Sequence, residues 1–199
     1  MENIMIKLYF VTNNIGKFNE AKEILSSYGV FLERIDAEKI EIQSTSLEDI
    51  ARYSAIHVYK QIRKPVIVED SGLFIDALNG FPGPYSSYVY KTIGLKGILK
   101  LLQGENNRKA VFEAVVALAL REDMVLTFKG VVEGYIAFEI RGSKGFGYDP
   151  IFVPKEGEGK TFAEMDIHEK NMYSHRGKAF RLLGMWINMN IDKLKYIVL

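Results

Sequence analysis

The alternation of apolar and polar positions divides the chain into a small set of elements. "MIKLYFV", residues 5–11, is β-rich and almost continuously apolar, which predicts a buried strand of a parallel or mixed sheet. "KFNEAKEILSSYG" places Phe18, Ala21, Ile24, Leu25 and Tyr28 on one helical face, with Gly29 as the stop. The chain therefore opens as strand, polar loop, helix, and "VFLERID" follows as a second strand. In "STSLEDIARYSAIHVYKQIRK", Ser46 reads as an N-cap with Asp49 three residues on, and Ile50, Tyr53, Ile56 and Tyr59 recur at helical spacing. "PVIVEDSGLFIDAL" predicts a short strand, Pro65 to Val68, that ends in Glu69, Asp70 and a Ser-Gly turn.

"NGFPGPYSSY" is dense in Gly and Pro and reads as irregular. "TIGLKGILKLLQG" predicts a helix ending at Gly104, and residues 108–140 predict two or three antiparallel strands. "RGSKGFGYDPIFVP" is a glycine-rich loop before a strand, and "EKNMYSHRGKAFRLLGMWINMN" a basic-faced helix. This order predicts an α/β fold in which the antiparallel part forms a lobe and ligands bind in the cleft beside it.

Composition narrows the class. A chain of 199 residues suits one large domain or two lobes sharing a core, and it buries enough surface to fold without disulfide or structural metal. There are no cysteines, which removes thiolate chemistry and Cys-type zinc sites. The net charge of +1 argues against nucleic acid as a partner and confines any anion site to a local patch. The first residues lack a basic region followed by a long apolar core, and the longest apolar run, Ala114 to Leu120, is too short for a bilayer. The expectation is a soluble, cytoplasmic protein with no membrane contact.

Five polar clusters carry candidate chemistry. "TNNIGK" crowds Thr12, Asn14 and Lys17 between strand and helix, where orphan N–H groups and the helix dipole favour an anion; it is not a Walker loop, and a capped turn with a solvated lysine remains the alternative. Strand alternation turns Glu69 and Asp70 opposite ways, so one of them faces a cleft, as a ligand for Mg²⁺ or a partner for water, or else serves as a capping acid. Glu41, between Ile40 and Ile42, reads as an outward, solvated acid. In "SKGFGYDP", Phe146 and Tyr148 can stack on a base and Asp149 can accept from ring N–H groups, or the aromatics belong to the core. Lys170, His175 and Arg176 are cationic candidates, with His175 and Arg176 diverging unless they stand at a helix start. The three histidines lack ligand spacing, and no Ser-His-Asp triad is apparent.

Taken together, "TNNIGK", "EDSGLFIDALNGFPGPYSS", "GFGYDPIF", "TFAEM" and "EKNMYSHRGKAF" resemble, in order, the motifs of the inosine triphosphate pyrophosphatase family, from about Lys7 to Leu183. The resemblance implies an elongated α/β fold with a long mixed central sheet flanked by helices and two lobes around a substrate cleft. It implies a homodimer that hydrolyses ITP, dITP and XTP to monophosphate and pyrophosphate with Mg²⁺. Carried onto this chain, it assigns Thr12, Asn14 and Lys17 to the triphosphate, with Ser71 in the substrate loop. Asp70 becomes the water-activating acid, and Glu41 joins it on the metal, against the outward reading above. Phe146, Gly147, Tyr148 and Asp149 become the base-and-sugar loop, and Lys170, His175 and Arg176 close over the purine. "YSAIHVYK" departs from the Asn-Ala-x-x-Lys pattern of many bacterial members, so the role of that lysine either passes to Lys60 or is absent, and Glu69 stands where many have Asp. A nucleotide sensor without turnover and a phosphatase releasing orthophosphate are the rival readings.

Overall fold

The structure, a computed structural model, describes residues 6–198, with side chains through Leu194. Met5 of the first predicted strand, and the first residues of the stretch read as lacking a leader, lie outside the described residues. In chain order the elements are β1 (Ile6–Val11), α1 (Ile15–Ser26), β2 (Val30–Ile35), α2 (Leu47–Ile62), β3 (Val66–Ile75), β4 (Pro82–Gly83), α3 (Ser86–Thr92) and α4 (Gly94–Leu101). Then come β5 (Lys109–Arg121), β6 (Met124–Ile136), β7 (Phe152–Pro154), α5 (Ile167–Tyr173), α6 (His175–Met189) and α7 (Ile191–Val198).

The strands form one mixed sheet of seven in the order β2-β1-β3-β5-β6-β7, with β4 on β3. β1 is parallel to β2 and β3; β5 and β6 form a long antiparallel hairpin against β3. Strand alternation divides the core. Phe10, Ile67, Val116 and Leu118 pack under α1 and α6, whereas Val66, Val68, Val115 and Ala117 pack under α2. This two-sided burial explains why the apolar run in β5 shows no polar alternation. A third cluster, including Leu73, Phe112, Phe152 and Phe162, fills the far end of the sheet beneath α3 and α4.

Several expectations need correction. β3 does not stop at Ser71: it continues to Ile75, paired residue by residue with β5, so "SG" is strand and not turn. Ser46 does cap α2, accepting from the Asp49 N–H at 3.1 Å, but the buried face is Leu47, Ile50, Ala51, Ser54, Ala55 and Val58. Tyr53 is 47% exposed, because packing against the sheet selects the small residues that let the helix approach closely. The basic helix breaks at Ser174, which caps α6 through its hydroxyl to the Gly177 N–H. "NGFPGPYSSY" is only partly irregular, since Pro82–Gly83 pair with β3 and Ser86 opens α3. Residues 36–45 are loop, and Ile40 is 40% exposed and no core residue.

Candidate active site

β3 outruns its neighbour. β1 pairs with it only at Tyr9↔Val66 and Phe10↔Ile67, then leaves the sheet as the Thr12–Asn14 loop. From Val68 until β4 joins at Leu73 that edge of β3 has no strand partner, and a cavity of about 930 Å³ lies against it. Because β1 stops short there, side chains from both faces of β3 reach the same space: Glu69 and Asp70 both line it, where alternation alone assigned one.

The polar loop forms one wall. Thr12 Oγ1 accepts from the Asn14 N–H at 3.1 Å, and Asn14 caps α1 by accepting from the Lys17 N–H at 3.2 Å. These bonds use acceptor oxygens, so the Thr12 hydroxyl proton and the Asn14 amide N–H groups stay free to donate. The first N–H groups of α1 have no intrahelical acceptor and add to a field that favours an anion.

A buried chain of alternating charges forms the second wall. Lys170 Nζ lies 2.5 Å from Asp149 Oδ2 and 2.6 Å from Glu20 Oε1. Arg176 Nη1 donates to Glu20 Oε2 at 2.7 Å, its Nε to Glu69 Oε1 at 3.0 Å and its Nη2 to Ser71 Oγ at 3.2 Å. Lys17 Nζ closes the chain on Glu69 Oε2 at 2.7 Å. Burial pushes the Glu69 carboxyl up, but Arg176 and Lys17 outweigh it and hold the group at about 2. Burial likewise opposes the charge on Glu20, and Arg176 and Lys170 again prevail and lower its pKa.

His175 and Arg176 open α6, so the divergence expected within a helix does not keep them apart, and both line the cavity. They can stand there because Gly130 lets α6 lie directly on β6: a Cβ at Gly130 would come within 2.0 Å of the His175 carbonyl oxygen. Burial, with Arg176 and Lys170 nearby, pushes the His175 pKa well below its usual value, and the neutral ring stacks on Phe112 at 4.5 Å.

Phe146 lies over Lys170 and Arg176, 4.6 and 5.2 Å from ring centre to cation. It also presses on α1 where Gly16 leaves room, since a Cβ at Gly16 would stand 2.5 Å from the ring. Gly147, Tyr148 and Asp149 line the same cavity. Tyr148 is core as well as wall: it is 4% exposed and donates its hydroxyl to the Ser86 carbonyl at 2.9 Å. Lys170 does not line the large cavity but a smaller pocket of about 270 Å³ behind Phe146.

Asp70 differs from all of these. No hydrogen bond or ion pair reaches its carboxylate among the described residues. Burial pushes it up, Lys17 pulls back, and the Glu69 and Glu41 charges push further, to about 6. Glu41 lines the same cavity, half-exposed and paired with Lys39 at 2.5 Å. Among the described residues no three His, Cys, Asp or Glu side chains form a cage for a metal ion. Two carboxylates, one of them unpartnered and burdened by neighbouring negative charge, instead fit Mg²⁺ that takes its remaining oxygens from phosphates and water.

Sequence reasoning missed Glu20 and the role of Glu69. Glu20 stands three residues after Lys17 and four before Ile24, a charged residue at a core-facing helical register, and that register was the available signal. Lys60 does not replace the missing motif lysine, since it is half-exposed and paired with Glu122 at 2.8 Å.

A sequence profile described as the Ham1 family matches residues 8–186. The chain belongs to the Ham1 family. Among curated relatives, a dITP/XTP pyrophosphatase of Methanopyrus kandleri is 55% identical over 186 residues, covering 94% of this chain and 98% of the relative. One of Saccharolobus solfataricus is 50% identical over 189 residues, covering 94% and 97%. The Ham1 proteins of Staphylococcus aureus and Coxiella burnetii superpose with TM-scores of 0.80 at 32% and 34% identity. Those alignments cover 92% and 93% of this chain and 99% and 100% of the structures. The motif resemblance and the mixed α/β fold with its helix-flanked sheet are thus borne out. No helix of the described residues is long and apolar enough to cross a membrane.

Proposed function

We propose that this Ham1-family chain hydrolyses non-standard purine nucleoside triphosphates, ITP, dITP and XTP, to the nucleoside monophosphate and pyrophosphate, clearing them from the nucleotide pool. One juxtaposition carries the reading: the cationic N-terminal end of α1, the free carboxylate of Asp70 and the charged wall around Arg176 line a single cavity. Its volume suits a nucleotide.

Thr12, Asn14, Lys17 and the N-terminus of α1 hold the triphosphate. Glu41 and Asp70 would hold Mg²⁺, which would neutralise phosphate charge when bound. Asp70 orients water for attack on the α-phosphorus and takes its proton; the bond from that phosphorus to the bridging oxygen breaks, and pyrophosphate leaves. In the metal-free protein burial, with Glu69 and Glu41, raises the Asp70 carboxyl to about 6, so it is ionised at neutral pH and more basic than an ordinary aspartate.

The base lies against Phe146 and the loop through Asp149, with Ser71 and His175 completing that end and Lys170 holding Asp149 from behind. Arg176 has five N–H donors and commits three to protein partners, so two remain for a purine O6. Adenine presents N6 donors there, and facing donors against donors can give rejection on the order of 10⁴. The enzyme acts as a single domain whose two lobes meet at the cavity, as a cytoplasmic homodimer. Exposed Tyr88 and Phe138 offer apolar surface for a partner, and sedimentation in solution tests the dimer.

Incubating the purified protein with Mg²⁺ and ITP or ATP, then measuring monophosphate, pyrophosphate and orthophosphate, tests the function. IMP with pyrophosphate from ITP, and little product from ATP, is the expected result. Orthophosphate, or equal use of ATP, contradicts the bond cleaved or the base filter; no turnover of either favours a sensor.

A further inference from the structure

The loop that carries Glu41 is tethered in an unusual way. Residues 36–45 contain no helix or strand and, among the described residues, make no backbone–backbone hydrogen bond. Besides a local bond from the Ser46 N–H to Ser44 Oγ at the loop's end, two hydrogen bonds among the described residues hold this loop to the rest of the protein, and both come from side chains of α2. Ser54 Oγ donates to the Ile40 carbonyl at 2.5 Å, and Gln61 Nε2 donates to the Glu38 carbonyl at 3.0 Å. The two donors are seven residues apart, two turns of one helix face, and their acceptors bracket Lys39 and end one residue before Glu41.

Ser54 is the polar exception on the buried face of α2, at 0% exposure among Ile50, Ala51, Ala55 and Val58. A hydroxyl in such a place destabilises the fold unless it is bonded, so its bond to the loop accounts for its presence. It also lies in "YSAIHVYK", the stretch that departs from the bacterial pattern.

We propose that Ser54, supported by Gln61, is a positioning residue that sets the Glu41 carboxylate opposite Asp70 and thereby the affinity of the site for a divalent cation. The inference rests on the reading of Glu41 and Asp70 as the metal-holding pair. Ser54 touches neither substrate nor metal; it acts through the backbone of the loop.

Mn²⁺ titrated into the full-length protein with α,β-imido-ITP, followed by the electron paramagnetic resonance signal of free Mn²⁺, tests this without turnover. Ser54→Ala is expected to weaken Mn²⁺ binding about fivefold, the equivalent of one ordinary hydrogen bond, and Gln61→Ala about twofold. Arg52→Ala is the control on the same helix, since Arg52 Nη1 bonds the Val125 carbonyl and not the loop; it should leave the Mn²⁺ affinity unchanged. If Ser54→Ala does not fold, Gln61→Ala against Arg52→Ala decides. Unchanged affinity in the Ser54 and Gln61 variants while Glu41→Gln weakens binding overturns the positioning role, as does equal weakening by Arg52→Ala. Unchanged affinity in Glu41→Gln itself removes the metal reading, and the positioning role with it.

Discussion

Glu69 and Asp70 are neighbours on one strand, the first buried and the second partly buried against one cavity, yet they are opposite in state. Glu69 faces α1 and α6, where Arg176 and Lys17 bind both of its oxygens and hold it at about 2. Asp70 turns the other way, toward Glu41, finds no partner, and rises to about 6. Burial penalises both charges; the difference is that two cations bond Glu69 and none bonds Asp70. One side of the cavity is a closed, charge-balanced framework, and the other is a carboxylate left available for cation, water and proton.

The contrast breaks most completely at Asp70. Asp70→Asn should lower kcat by roughly 10²–10⁴-fold, as expected for loss of a general base. It should also stabilise the protein. A carboxyl raised above its ordinary 3.8 contributes stability that is present below that pH and is lost as pH rises through about 6. Removing it should therefore raise unfolding free energy above pH 6 by on the order of 1–3 kcal/mol in urea melts, with no gain below pH 4.

Glu69→Gln should do the reverse. Leaving Arg176 buried without its partner should cost about 3–5 kcal/mol of stability at neutral pH. The parent's own Glu69 contribution is present above 4.5 and lost as pH falls toward about 2, so parent and variant should converge on acidification. Glu20→Gln sharpens the comparison at the base end: with Arg176 and Lys170 less firmly held, the ratio of kcat/KM for ITP over ATP should fall by roughly 10-fold while the pH profile stays in place. On stability Asn14→Ala has the smallest effect, about 1 kcal/mol in thermal melts from the lost cap of α1.

Much of the frame was legible from pattern. The opening strand-loop-helix, the Ser46 cap and the β5–β6 hairpin follow from local periodicity and turn chemistry. The length of β3 was not, because its continuation through Ser71 and Gly72 depends on pairing with β5, a contact more than 40 residues away in sequence. The buried face of α2 was misjudged for a similar reason: close approach to the sheet favours Ala and Ser over the larger Tyr53. At the site, alternation correctly separated Glu69 from Asp70 but could not show that the sheet edge lets both reach one cavity. Glu20, hidden as one more acid on a helix, acquires meaning only when α6 delivers Arg176 to it.

The most direct measurement is a pH titration of the side-chain carboxyl carbons by nuclear magnetic resonance, on the ligand-free protein and on Asp70→Asn. The account predicts one aspartate resonance with a midpoint near 6 that is missing from the variant, and a Glu69 resonance that does not titrate above pH 3. An Asp70 midpoint near 4, or a Glu69 midpoint above its ordinary 4.5, would contradict the division of the cavity into a paired wall and a free acid.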